Sequence, residues 1–240
     1  MKNLTRIIAF AIIAFSTVTA FAQKKEKKIS GTIIYSIESV GETPVPLNIT
    51  EQSMKVLDDK AISPQGNVIV VGRTVYTIMD LSQVQMIVQQ TGADFDYAGP
   101  WKAYLKEEVT QSGIDSLFLD GGYKIEYLND TKEILGITAK KAKVLIKSEN
   151  ESVTELEVWY TEEIGPEYDF ITIRGLKGFP LEYTTPYGEN SAIKFTVKEI
   201  GKKKIKDAEF LLPAGYEQIT TENFLDLQEK LQILMEEMQY

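Results

Sequence analysis

Neither cysteine nor histidine occurs anywhere in the 240 residues. Without cysteine there are no disulfides, no thiol nucleophile, no thiolate metal ligand and no lipid-modified cysteine at an export cleavage point. Without histidine the chain lacks the commonest general base, the Ser-His-acid and Cys-His pairings, and the commonest neutral metal ligand. Basic charge is also scarce: 26 Lys and Arg stand against 35 Asp and Glu, a formal net charge of −9. That balance argues against nucleic acid or an anionic membrane surface as a partner, since both need clustered cations. Any chemistry would fall to carboxylates, lysine or tyrosine, and the expectation is a protein that is not an enzyme and carries no cofactor or metal.

Long apolar runs are missing except at the start. Met1-Lys2-Asn3-Leu4-Thr5-Arg6 is followed by apolar residues from Ile7 to Phe15 and by Ala20-Phe21-Ala22. A charged start, a short apolar core and an Ala-x-Ala end make a secretory signal over residues 1–22, with cleavage after Ala22. The alternative, an uncleaved anchor, would need roughly 18 to 20 apolar residues, which this run does not reach. The expected address is the periplasm, with secretion beyond the envelope left open, and the protein is not expected to be integral to a membrane. Loss of Lys2 and Arg6 leaves 24 basic against 35 acidic residues, a formal charge of −11. Residues 23–28 read as a charged spacer, and residues 29–240 as a single β domain of ordinary size.

What is present is alternation. Ile29, Gly31, Ile33, Tyr35 and Ile37 fall on one side of a first strand and Ser30, Thr32, Ser36 and Glu38 on the other. Period-two patterning of this kind marks a strand with one buried face. Short strands follow near 50–57, 68–71, 74–81 and 84–89, separated by turn formers such as Pro64-Gln65-Gly66-Asn67 and Gly72-Arg73. The stretch from Ala142 to Val197 adds three more alternating segments: Ala142 to Lys147, Val153 to Thr161, and Ile193 to Val197. Pro100, Trp101, Tyr104, Leu105, Val109 and Gly113 have the spacing of a short amphipathic helix near 100–111. A C-terminal helix near 221–238 carries Phe224, Leu227, Leu231 and Met238, with Thr220 or Thr221 as its cap.

The polar candidates are weak. Glu155 and Glu157 share one strand face, whereas an acid/base pair is usually split across a cleft; a solvated face is the simpler reading. Asp94, Asp96 and Asp120 lack the spacing of a calcium loop. Gly121-Gly122 reads as a turn, and Lys202 to Lys204 as a solvated hairpin.

Apolar residues carry the better signal. Ile33, Tyr35, Tyr127, Val144, Ile146, Leu156, Val158, Tyr160, Ile193 and Phe195 fall on the inner face of neighbouring strands. They are either core or the lining of a cavity, because a long curved sheet often has more concave apolar surface than its cover fills. Trp159 is left on the outer, polar face.

The order of Gly31-Thr32-Ile33-Ile34-Tyr35, Val75 to Asp80, Glu157-Val158-Trp159-Tyr160-Thr161, Gly175 to Tyr183, and Phe210 through Pro213-Ala214-Gly215-Tyr216 resembles the LolA-like periplasmic lipoprotein-carrier fold. It is similar too to small periplasmic domains of Bacteroidota that share it. The resemblance implies an antiparallel incomplete β-barrel covered by amphipathic helices, with acyl chains held on its concave side. Arg73 and Arg174 sit in no motif matching the carriers' lid-holding arginine. The expected function is therefore a soluble periplasmic binding or carrier protein for a lipid or other apolar ligand. The alternative is a non-catalytic envelope interaction or assembly module with a filled core and a protein partner.

Overall fold

The computed structural model describes residues 28–43, 45–119, 123–147, 153–187, 190–201 and 204–237. The expected signal peptide lies outside these residues, as do Asp120, Gly121, Gly122, Lys202 and Lys203.

Alternation becomes strand where it was read. β1 (Gly31–Gly41) buries Ile33, Tyr35 and Ile37 and turns Thr32, Ile34 and Ser36 outward. β2 (Glu51–Leu57), β3 (Lys60–Ile62), β4 (Val68–Val71) and β5 (Thr74–Asp80) then step away from it as a meander, each antiparallel to the last. After α1 (Ser82–Thr91), β6 (Lys102–Glu108) pairs with β5, and α2 (Gln111–Leu119) follows. β7 (Tyr123–Ile134), β8 (Ile137–Lys147) and β9 (Val153–Thr161) make a second meander. A two-stranded ribbon, β10 (Tyr168–Asp169) and β11 (Leu176–Lys177), precedes β12 (Phe179–Pro186) and β13 (Ser191–Gly201). β14 (Glu217–Ile219) and α3 (Thr221–Glu237) end the chain.

Twelve strands form one sheet among the described residues, in the order β14-β6-β5-β4-β3-β2-β1-β13-β12-β9-β8-β7. Every pairing is antiparallel except that of β14 with β6. The sheet stays open, with β7 at one end and β14 at the other. It is an incomplete barrel, mainly β.

Two sequence expectations are corrected. Residues 84–89 are helical, inside α1, rather than a strand. Val84, Met86 and Val88 alternate, but over five residues that spacing also brings Val84 and Val88 to one helical face. The helix near 100–111 is strand β6, with Ala103 and Leu105 buried. The helical reading counted the large apolar residues and passed over Ala103, and full-length pairing with β5, from Thr74↔Glu108 to Asp80↔Lys102, overrides the local spacing. Gly113 does not stop a helix there but lies within α2, where its N–H is accepted by the Thr110 hydroxyl at 3.0 Å. A helix at the C-terminus is present as α3, burying Leu227 and Leu234.

The main core joins both arms of the sheet. Val70 and Val75 from one arm and Ile137, Ala142 and Val144 from the other belong to one contiguous cluster of buried side chains. The segment from Ile164 to Lys177, here called the strap, supplies Ile164, Phe170, Ile173 and Leu176 to that cluster. The sheet is curled around the strap. A smaller cluster on the opposite face of the β2–β6 arm packs Ile69 and Ile78 under Ile205 and Phe210.

Candidate functional site

The strap decides what the concave face can hold. Arg73, in the β4–β5 turn, pairs with Glu167 at 3.2 Å and lies over the Tyr168 ring. Arg174 pairs with Glu107 of β6 at 3.1 Å and lies over Phe170. At the far edge the Tyr127 hydroxyl accepts the Lys177 N–H at 3.0 Å. Both arms of the open sheet are thus tied to one segment. Burial of its four large side chains contributes on the order of 6–12 kcal/mol, an upper estimate, at about 1.5–3 each. The strap is part of the core and not a free loop.

A carboxylate sits inside it. Asp169 is buried, and its oxygens accept the N–H groups of Ile171 at 2.9 Å, Thr172 at 3.1 and 3.2 Å, and Ile173 at 2.6 Å. Burial pushes its pKa up to about 6, against the downward pull of those bonds. The Asp169 charge in turn acts on Tyr35, Tyr123 and Tyr183 from three different strands, and all three phenols are held above their ordinary range, chiefly by burial.

Beside the strap the concave face opens into a cleft of about 360 Å³. Its apolar lining includes Met54, Val68, Ile171 and Phe195, and its polar lining Gln52, Ser63, Asn67 and Thr185; no charged side chain contributes. Tyr183 and Phe195, neighbours across β12 and β13, stack at 4.6 Å with their rings 8° from parallel. Tyr183 also lines the cleft, together with Thr172 and Gln52.

The ten inner-wall residues fall into three groups. Ile33, Tyr35, Val144, Val158 and Tyr160 are buried in the main core, beneath the strap. Ile146, Leu156, Ile193 and Phe195 are half-buried, and Phe195 alone of the ten reaches the cleft. Tyr127 is 47% exposed at the rim, edge-on to Tyr160. Gln52, Thr172 and Tyr183 carry no sequence pattern that marks them as cleft residues. The one signal for them was that Tyr183 follows Phe179 and Leu181 at period two.

The polar candidates are surface features. Glu155 and Glu157 pair with Lys143 and Lys141, each at 2.6 Å. Asp94 and Asp96 are exposed between α1 and β6. No helix among the described residues is long and apolar enough to cross a membrane.

Residues 63–219 match the family described as "N-glycanase peptide, N-terminal domain". Among solved structures, PNGF-II in two crystal forms is 16% and 14% identical, with TM-scores of 0.42 and 0.43. The alignments cover 82% of this chain, which spans about a third of PNGF-II, 33% and 32%. The lipoprotein LppX of Mycobacterium tuberculosis is 14% identical at TM-score 0.31, over 74% of this chain and 90% of its own. The LolA-superfamily protein NE2245 of Nitrosomonas europaea is 10% identical at TM-score 0.31, over 77% and 91%. No curated protein matches this sequence.

Proposed function

The chain belongs to the N-glycanase peptide, N-terminal domain family, and from that premise we propose that it acts as a non-catalytic binding module of the cell envelope, taking an uncharged ligand with an apolar body, such as a lipid, in the cleft beside the strap. One observation carries this reading: a cleft of about 360 Å³ on the concave face, lined by apolar and neutral polar side chains only. That size is at the lower end for small-molecule sites, and the mixture of apolar wall and few polar groups is what such sites use. Export by the signal at residues 1–22 would place it in the periplasm. The inner wall of Ile33, Tyr35, Val144, Val158 and Tyr160 would then serve as the rigid backing of the site and not as its surface.

A second reading, a protein-binding module, is favoured by one feature. α1 carries Val84, Met86, Ile87 and Val88 yet buries no residue.

Native mass spectrometry of protein purified from its own periplasm, with solvent extraction of the same sample, separates the two. A co-purifying uncharged apolar molecule supports the cleft, whereas a ligand-free protein that binds no apolar probe points to the interaction module.

A further inference from the structure

The cleft has a polar station that its apolar lining does not require. Gln52 comes from β2, Tyr183 from β12 and Thr172 from the strap, and all three line the cleft. Two hydroxyls and a carboxamide supply both donors and acceptors and no charge. Gln52 and Thr172 are half-buried, so they remain accessible from the cleft, while the Tyr183 ring is buried behind them against Phe195.

We propose that Gln52, Thr172 and Tyr183 form a headgroup subsite selecting a neutral, hydroxyl-bearing amphiphile over the carboxylate of the same chain length. This rests on the cleft being the binding site.

The selection follows from what surrounds the station. No lysine or arginine lines the cleft, so an anion brought there is stripped of water with nothing to pair with. Directly behind the station, the Thr172 N–H is bound by Asp169, so a ligand carboxylate would also face a buried like charge at neutral pH. Tyr183 is held in its neutral form by burial and by the same Asp169, and therefore stays a hydroxyl. An ammonium is attracted by the same charge but sheds its water with no carboxylate in the lining to receive its hydrogen bonds, because the Asp169 oxygens are occupied by the N–H groups of Ile171, Thr172 and Ile173 and are walled from the cleft. A glycerol hydroxyl loses no charge solvation on entry and finds donors and acceptors waiting.

The full exported chain is loaded with phenylnaphthylamine, a neutral fluorescent probe, and titrated near neutral pH with monodecanoylglycerol, decanoate or decylammonium. The glycerol ester is expected to displace the probe at a concentration about tenfold lower than either ion, the ratio a single well-placed hydrogen-bond set supports. Gln52→Leu and Tyr183→Phe should each bring the ester down to the affinity of decanoate. If decanoate or decylammonium competes as well as the ester, or the variants keep the preference, the headgroup subsite is overturned while the cleft stands. If the probe does not bind, or no decanoyl compound displaces it, the cleft reading fails and the subsite with it.

Discussion

The hydroxyl of Tyr35 donates to the carbonyl oxygen of Pro180 across 2.6 Å, joining β1 to β12, strands 145 residues apart in the chain. Both partners are buried, and Pro180 sits at the irregularity where the β9–β12 register shifts. A buried carbonyl left without its donor bears its own desolvation penalty, about 1–3 kcal/mol. Tyr35→Phe is therefore expected to lower the unfolding free energy by about that amount at unchanged m-value, as read by urea denaturation. A loss near zero would mean that water reaches Pro180.

Asp169 gives the fold a pH dependence of unusual sign. Its pKa rises from an ordinary 3.8 to about 6 in the folded state, so the folded protein holds the proton more tightly than the unfolded chain. The stability this group contributes is complete below the unfolded value and is lost as pH rises through about 6. The groups facing it are the phenols of Tyr35, Tyr123 and Tyr183, all kept neutral in this range. The Asp169 contribution, read as the denaturation midpoint of the wild type minus that of Asp169→Asn, should therefore fall with rising pH between the two values, while Glu162, held below its usual range by Lys140, pulls both proteins the other way. Asp169→Asn removes that contribution, at a cost of about 1–3 kcal/mol from the oxygen replaced by an amide beside the Ile173 N–H. A difference between the two proteins that does not change with pH would assign the titration elsewhere.

The strap leaves through Gly178, whose φ is +112° and whose added Cβ would run into the Thr161 carbonyl oxygen of β9. Gly92, closing α1, also has positive φ (+70°) but has open space around it. Gly92→Ala should cost only the left-handed backbone penalty, about 1–2 kcal/mol. Gly178→Ala adds a backbone collision to that penalty and should cost measurably more, or prevent folding. Thermal melts of the two variants side by side check the order; equal losses would mean that β9 yields at Thr161.

Sheet and strap differ in how far the sequence reveals them. β1, β8, β9 and β13 are legible because a strand with one covered face must alternate, and Ile33, Tyr35, Val144, Val158 and Val197 do so over enough residues to fix the period. At α1 and β6 the window was too short for period and type to be separated. The strap was not legible at all. Its partners Arg73, from the β4–β5 turn, and Glu107, from β6, are far away in the chain, and its burial depends on a sheet curled enough to receive Phe170 and Ile173. Asp169 likewise looks like any loop aspartate until three strands put tyrosines around it. The polar station of the cleft is hidden for the same reason: Gln52, Thr172 and Tyr183 are meaningful only once β2, the strap and β12 meet.

Trp159 gains an explanation from its neighbours. It lies half-buried on the outer face of β9, with the Lys132 ammonium 4.4 Å from its ring centroid and that of Lys141 at 5.6 Å. Lys132 is held by Glu182 at 2.9 Å and Lys141 by Glu157 at 2.6 Å, so both cations are fixed over the ring, one from β7 and one from the adjacent β8. Each such contact contributes about 0.5–1 kcal/mol at a partly exposed site. A double-mutant cycle with Trp159→Leu and Lys132→Met should thus return a coupling of about 0.5–1 kcal/mol in urea denaturation. Trp159 would then be a fastener of the β7–β8–β9–β12 face, already covered by its own lysines. Zero coupling would leave the indole free and turn attention to it as the contact of the protein-binding reading.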